Sequence, residues 1–200
     1  MAPLNFDLRG YVFKSGIDVL RSAYTTAALA LVTNIDRIEA AKAEYLASGV
    51  WEGERDEDGY IIWDREQLFE IDLDMARQGL ADLRKSFALA AYHFWERSAR
   101  QWTGDDRGRH DDLVLGAKAK GIEAHPHLSA VRDLANTLKH NSPKYGPALR
   151  ASWPDVVRST NAGVSFDGWY GAVVLEEVHV DQLFAAVAAS GPRTQASGAD

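Results

Sequence analysis

Residues 17–48, IDVLRSAYTTAALALVTNIDRIEAAKAEYLAS, hold the pattern on which the fold reading turns. Leu20, Tyr24, Ala27, Leu31, Ile35, Ile38, Ala41 and Tyr45 recur at spacings of three and four. Steps of that size return to one side of a 3.6-residue helix, so the segment reads as one amphipathic helix with a single apolar stripe. Gly49 is its stop signal. A second helix is expected from about Arg65 to Trp102, where Leu80, Leu83, Phe87, Ala90 and Phe94 repeat the alternation. Asp64 stands where a capping carboxylate belongs. Gly79 inside this run costs about 1 kcal/mol relative to alanine and reads as a bend or a close packing point. At about 1.5 Å per residue the two helices would each span roughly 45–60 Å, as an extended antiparallel hairpin.

Working outward, VWEGERDEDGYIIWD (50–64) places the turn signal Asp58–Gly59 between Trp51 and the run Tyr60–Trp63, which predicts a small β-hairpin. TGDDRGRHDD (103–112) reads as loop. A short helix is expected over Asp112–Lys120, ended by Gly121, and another over Pro126–His140, stopped by Asn141, Ser142 and Pro143. The segment after it reads as irregular, with room for one helical turn. VVRST (156–160) and AVVLEEVHV (172–180) have the β-branched character of strands, and Asp181 would cap a last helix over Gln182–Ala189. The fold class expected is all-α: an antiparallel helical bundle with a small β appendage. Residues 1–15 read as an N-terminal arm, 16–190 as a single helical domain and 191–200 as a disordered tail.

Composition sets outer limits. The chain has 200 residues, 46% hydrophobic and 26% charged, as expected of a globular protein. It has no cysteine, which excludes disulfides, thiolate metal sites and cysteine nucleophiles. No apolar run approaches a membrane span, and the start MAPLNFDLRGYVFK lacks a secretory h-region, so a cytoplasmic protein without membrane contact is expected. A net charge of −7 argues against a protein that coats nucleic acid along its whole surface. The charge is uneven: Asp36–Asp74 holds thirteen acids and four bases, whereas Pro126–Arg150 holds four bases and one acid.

The basic segment contains PHLSAVRDLANTLKHN (126–141). On a helix, Arg132, Asn136 and His140 fall at i, i+4 and i+8 as one slanting polar stripe, with Lys139 beside it. A guanidinium, a carboxamide, an ammonium and an imidazole together suit a phosphate-bearing ligand. A polar stripe that merely ties down neighbouring loops is the structural alternative.

RDLANTLKHN (132–141) resembles the signature helix of HEPN-like domains and of bacterial proteins with an R-x-x-A-N-x-x-K-H helix. The preceding FALAAYHFWERSARQW (87–102) is similar to the aromatic-rich helix before that signature, and the resemblance extends over roughly residues 80–142. It implies a HEPN-type metal-independent endoribonuclease of bacterial antiviral defence or of a toxin–antitoxin pair. Its site would be built between the chains of a homodimer. Carried over, Arg132 would contact phosphate, Asp133 is the polar residue after it, and His140 would be the acid/base. Asp133, Asn136 and Lys139 would bind substrate, Asn136 near the 2′-OH of an RNA. Cleavage would be transesterification, with no cofactor and no metal. One departure stands out. Seven residues separate Arg132 from His140, one more than the family pattern allows. On an ideal helix that puts the pair about 12 Å apart along the axis and about 80° around it. The alternative is a non-catalytic HEPN-like module that binds RNA, a nucleotide or a protein partner such as an antitoxin or defence-system subunit. A purely structural protein with an acidic hairpin that binds a basic partner is the third reading.

Other constellations are weaker. His110, His125 and His127 with Asp111 and Asp112 lack metal-ligand spacing, and His93 with Glu96 reverses the Glu-x-x-His order of di-iron bundles. P-loop, GxGxxG and GxSxG motifs are absent. Trp95 and Trp102 share one helix face, as core or a dimer seam; Trp51, Trp63 and Trp169 fall in expected hairpins or loops.

Overall fold

The computed structural model describes residues 6–158 and 168–194. The element order is α1 (Leu8–Ser48), β1 (Gly53–Arg55), β2 (Ile61–Asp64), α2 (Arg65–Thr103), α3 (His110–Lys118) and α4 (Leu128–His140). It continues with α5 (Gly146–Ser152), a 3-10 turn (Pro154–Val156), α6 (Gly168–Ala172) and α7 (Glu177–Ala188). The fold is mostly α with one small antiparallel hairpin, as the periodicity predicts. No helix among the described residues is long and apolar enough to cross a membrane.

The chain divides into two compact units. Unit 2 is Tyr24–Leu83; unit 1 holds the residues up to Ala23 and those from Arg84 onward. The two long helices thus contribute to both.

Within unit 2, Ile38 of α1 is buried with Phe69, Leu73 and Ala76 of α2, and Ile35, Ala41 and Tyr45 pack around them. Arg77 pairs with Glu39 at 2.7 Å, Lys42 reaches Glu66 and Glu70, and Tyr45 lies against Phe69. Positions rising along α1 meet positions falling along α2, so this part is an antiparallel helical hairpin. The strands pair Gly53 with Asp64, Glu54 with Trp63 and Arg55 with Ile61, with one irregularity between Glu54 and Arg55. The Asp56 carboxylate accepts the amides of Asp58 and Tyr60 at 3.0 and 2.8 Å, which closes the turn. Asp64 accepts the Gln67 amide at 2.8 Å and caps α2 as expected.

Gly79 is not a close packing point. A methyl group built on it meets nothing within 4 Å. Gly79→Ala therefore removes a backbone-entropy cost without a clash. It is expected to stabilise the protein by about 0.5–1 kcal/mol, read as a rise in thermal midpoint; a fall would mean that the helix is not regular at this point.

In unit 1, α4 packs on α5, α6 and α7. Leu128, Val131, Leu134 and Leu138 of α4 are buried together with Leu149, Val180, Leu183, Phe184 and Val187. Gly146 opens α5 because the Trp169 indole occupies the space a Cβ would take. Phe13 of α1 stacks on Phe94 at 5.5 Å and meets the half-buried Trp102 edge-on at 5.0 Å.

Several boundaries depart from the sequence reading. α1 starts at Leu8, inside the expected arm, because Asp7 accepts the Arg9 amide at 2.8 Å and caps it. α3 starts at His110, with the Asp112 carboxylate accepting the Arg109 amide. AVVLEEVHV is not a strand. Only Val173 makes a bridge, to Val157, and α7 begins at Glu177 once the Glu176 amide donates to His179 Nδ1 at 3.1 Å. The β-branched valines hide a helical spacing, Val180, Leu183, Phe184 and Val187, all buried. Asp181 lies inside that helix and pairs with Arg21 at 2.5 Å instead of capping. In the expected tail, Thr194 still accepts the Asp7 amide at 2.9 Å. Residues 1–5 of the arm, 195–200 of the tail and the end of VVRST lie outside the described residues.

Candidate functional site

Unit 1 contains a cavity of about 680 Å³ between the C-terminal part of α2, the start of α3, α4 and the approach to α5. Helix α4 presents Arg132, Asp133, Asn136 and Lys139 to it. Helix α2 contributes Tyr92, His93, Glu96 and Arg100, and the loop into α3 contributes Arg107, Arg109, His110 and Asp111. Lys144 and Tyr145 close the far wall.

Four of the five residues singled out by sequence are therefore brought together. His140 is not among the lining residues. It is exposed at the end of α4, where its ring stacks on Tyr145 at 5.0 Å. The helical rotation accumulated over eight residues carries it off the face that holds Arg132. His125 and His127 lie at the start of α4, outside the cavity, with His127 against Trp153. Among the described residues no group of three or more His, Cys, Asp or Glu side chains is placed to hold a metal ion.

The electrostatics are lopsided. Six cationic side chains and three carboxylates line the cavity. Arg132 is held by Asp133 at 2.9 Å and Asp111 at 3.1 Å, and Arg100 by Glu96 at 3.1 Å. Asp133 is itself buried and also accepts the Ser152 hydroxyl at 3.0 Å. Arg107, Arg109, Lys139 and Lys144 form no ion pair among the described residues. His93 lies 3.4 Å from Glu96.

Of the two imidazoles that line the cavity, His93 is half-exposed and His110 only 7% exposed. The His110 Nδ1 is 3.1 Å from the Tyr92 hydroxyl and its Nε2 is 3.5 Å from Ser129 Oγ. Burial, and then the Arg132 charge, lower its pKa to about 4. Burial raises that of Tyr92, and Glu96 adds to the effect. Tyr92 is therefore a neutral phenol at physiological pH, and whether its hydroxyl donates to Nδ1 or accepts from it follows from which ring nitrogen carries the imidazole hydrogen. A group with a pKa so far below 7 is a poor general base at neutral pH.

Sequence reasoning read Arg107 and Arg109 as loop residues and gave Tyr92 no role of its own. The signal available was their charge. The TGDDRGRHDD loop carries two arginines that its own acids do not pair with. Comparison of the chain with protein-family models, with curated proteins and with solved structures finds no match.

Proposed function

We propose that the chain is a HEPN-like module, not itself a nuclease, whose basic cavity holds a phosphate-bearing ligand: a single-stranded RNA segment or a nucleotide. The observation that carries this reading is the set of four cations, Arg107, Arg109, Lys139 and Lys144, that form no ion pair among the described residues and surround one cavity in a chain of net charge −7. Concentrating positive charge against the overall sign focuses the field on an anion. Tyr145, with His140 stacked on its ring and the Lys144 ammonium over it, adds an aromatic wall at the edge of the cavity. The family resemblance supports the same class, and with it a cytoplasmic homodimer serving in defence or beside an antitoxin.

The endoribonuclease reading is the rival. It needs His140 beside Arg132, whereas His140 stacks on the Tyr145 ring and does not itself line the cavity. His110 sits close enough but is held neutral.

Fluorescence anisotropy with a labelled single-stranded RNA, and competition by ADP, tests the proposal. Lys139→Glu with Arg109→Glu turns two attractions into repulsions and is expected to weaken binding roughly 100-fold, with wild-type affinity falling steeply as salt is raised. Unchanged affinity in this variant would remove the cavity from consideration. Metal-free RNA cleavage by the wild type, lost in His140→Ala or His93→Ala, would replace the binding reading with the catalytic one.

A further inference from the structure

The β1–β2 hairpin of unit 2 presents apolar side chains with nothing packed over them among the described residues. Tyr60 is 73% exposed, Ile62 58% and Trp51 48%, and Val50 and Ile61 are exposed as well. The Tyr60 hydroxyl has no hydrogen-bond partner among the described residues. A cluster of exposed aromatic and β-branched side chains on one short element marks a contact surface more often than chance exposure does. The sheet has only these two strands, so both outer edges offer unpaired backbone groups. A lone hairpin of this size is marginal in water, and a third strand would stabilise it.

Charge selects the occupant. Unit 2 carries fourteen acids and five bases, a balance of −9, while the rest of the chain carries fifteen acids and seventeen bases, a balance of +2. Glu52, Glu54, Asp56, Glu57 and Asp58 are interleaved with the exposed apolar residues of the hairpin. A second copy would set one such field against another. An anionic bilayer or a nucleic acid would be repelled in the same way. A cationic chain is attracted, and the hairpin already contains the contact it would make. The Arg55 guanidinium lies over the Trp51 ring at 4.8 Å, a cation–π arrangement. Tyr60 offers a second ring with no cation on it.

We propose that this hairpin docks an extended, cationic segment of a partner protein by strand addition, with alternate Lys or Arg side chains meeting the acids and the Tyr60 ring, their aliphatic stems over Ile62, and the apolar side chains between them covering Ile61. This is a surface separate from the basic cavity, and it takes a ligand of opposite charge.

The test uses the full chain and a fluorescein-labelled peptide, Lys-Val-Arg-Thr repeated three times, with Glu-Val-Asp-Thr repeated three times as the control of opposite charge. The cationic peptide is expected to bind and the acidic one not. Tyr60→Ser with Ile62→Ser removes exposed side chains only, so the fold is retained, and is expected to weaken binding about tenfold, as is raising the salt to about 300 mM. The cavity variant Lys139→Glu with Arg109→Glu is expected to bind the peptide no more weakly than the wild type. Equal binding of both peptides, no binding of the cationic one, or an affinity that the hairpin substitutions leave unchanged would overturn the proposal. So would a wild-type dimer in sedimentation that Tyr60→Ser with Ile62→Ser dissociates, since a second copy would then be the occupant.

Discussion

Trp95→Ala is expected to cost about 3–5 kcal/mol, the range for deleting a fully buried aromatic side chain. Trp95 is 1% exposed. It stacks near Tyr92 at 6.0 Å and lies 5.3 Å from the His110 ring, so it forms the floor beneath the two groups that make the inner wall of the cavity. Its Nε1 donates to the Ser190 carbonyl at 2.9 Å, which ties the end of α7 to α2. Truncation leaves a void and also a carbonyl without its donor, the second worth about 1 kcal/mol. Set against a typical stability of about 5–15 kcal/mol, a loss of this size leaves little margin. Trp95→Phe separates the contributions, because it keeps most of the packing and loses the hydrogen bond; it is expected to fall well short of the alanine variant. Denaturant midpoints at constant slope provide the measurement. A shift below about 1 kcal/mol for Trp95→Ala would mean that the side chain is not packed as described.

Trp95 also illustrates what the sequence makes legible. Helices with long, regular apolar spacing were readable: α2 and α4 run within a residue or two of their expected ends, and the Asp58–Gly59 turn falls inside the hairpin. These features depend on local chemistry alone, on periodicity and on turn residues. Misreadings arose where a capping group or a distant partner decides. Asp7 extends α1 backwards by eight residues or more, and the Glu176–His179 pair converts a valine-rich segment into the start of α7. Single-sequence propensity favours a strand for Val173–Val180, and only the burial of one helical face of α7 against α4 reverses it.

The site divides along the same line. Arg132, Asp133, Asn136 and Lys139 lie within two turns of one helix, so their shared face follows from the sequence. Their neighbours come from elements up to 40 residues away. Arg132 is neutralised by Asp111, twenty-one positions back, and the inner wall is Tyr92 and His110, eighteen apart from each other. Periodicity carries no information about such pairs. The histidines that share the cavity with Arg132 are accordingly His93 and His110, on other elements, while the one nearest in the motif, His140, turns to Tyr145.

Between pH 6.5 and 4, the wild-type protein is expected to lose roughly 3 kcal/mol of stability that His110→Gln does not lose. In the folded protein burial, with Arg132 next, holds the His110 pKa down to about 4, whereas Asp111, Asp133 and Glu96 pull the other way and only partly offset it. The unfolded chain titrates at an ordinary value near 6.5. Above that pH both states are neutral at this site, and the full stability is present. As the pH falls through the window the unfolded state takes up a proton that the folded state refuses, so the balance moves toward unfolding. Below about 4 the folded state also protonates, and the loss levels off. Other carboxylates titrate over part of the same range, so the test is the difference between wild type and variant in chemical denaturation at several pH values. At pH 7.5 the variant should be the less stable, by about 1 kcal/mol, because the contacts to Tyr92 and Ser129 are weakened. The curves should cross at about pH 5.8, and near pH 4.5 the variant should be the more stable, by about 1.5 kcal/mol. Parallel curves would mean that His110 is open to water and free to protonate, and the inner wall of the cavity would then be wet at neutral pH. An anion bound in the cavity would favour the imidazolium and raise its pKa, so the crossing point should move to lower pH when inorganic phosphate is added.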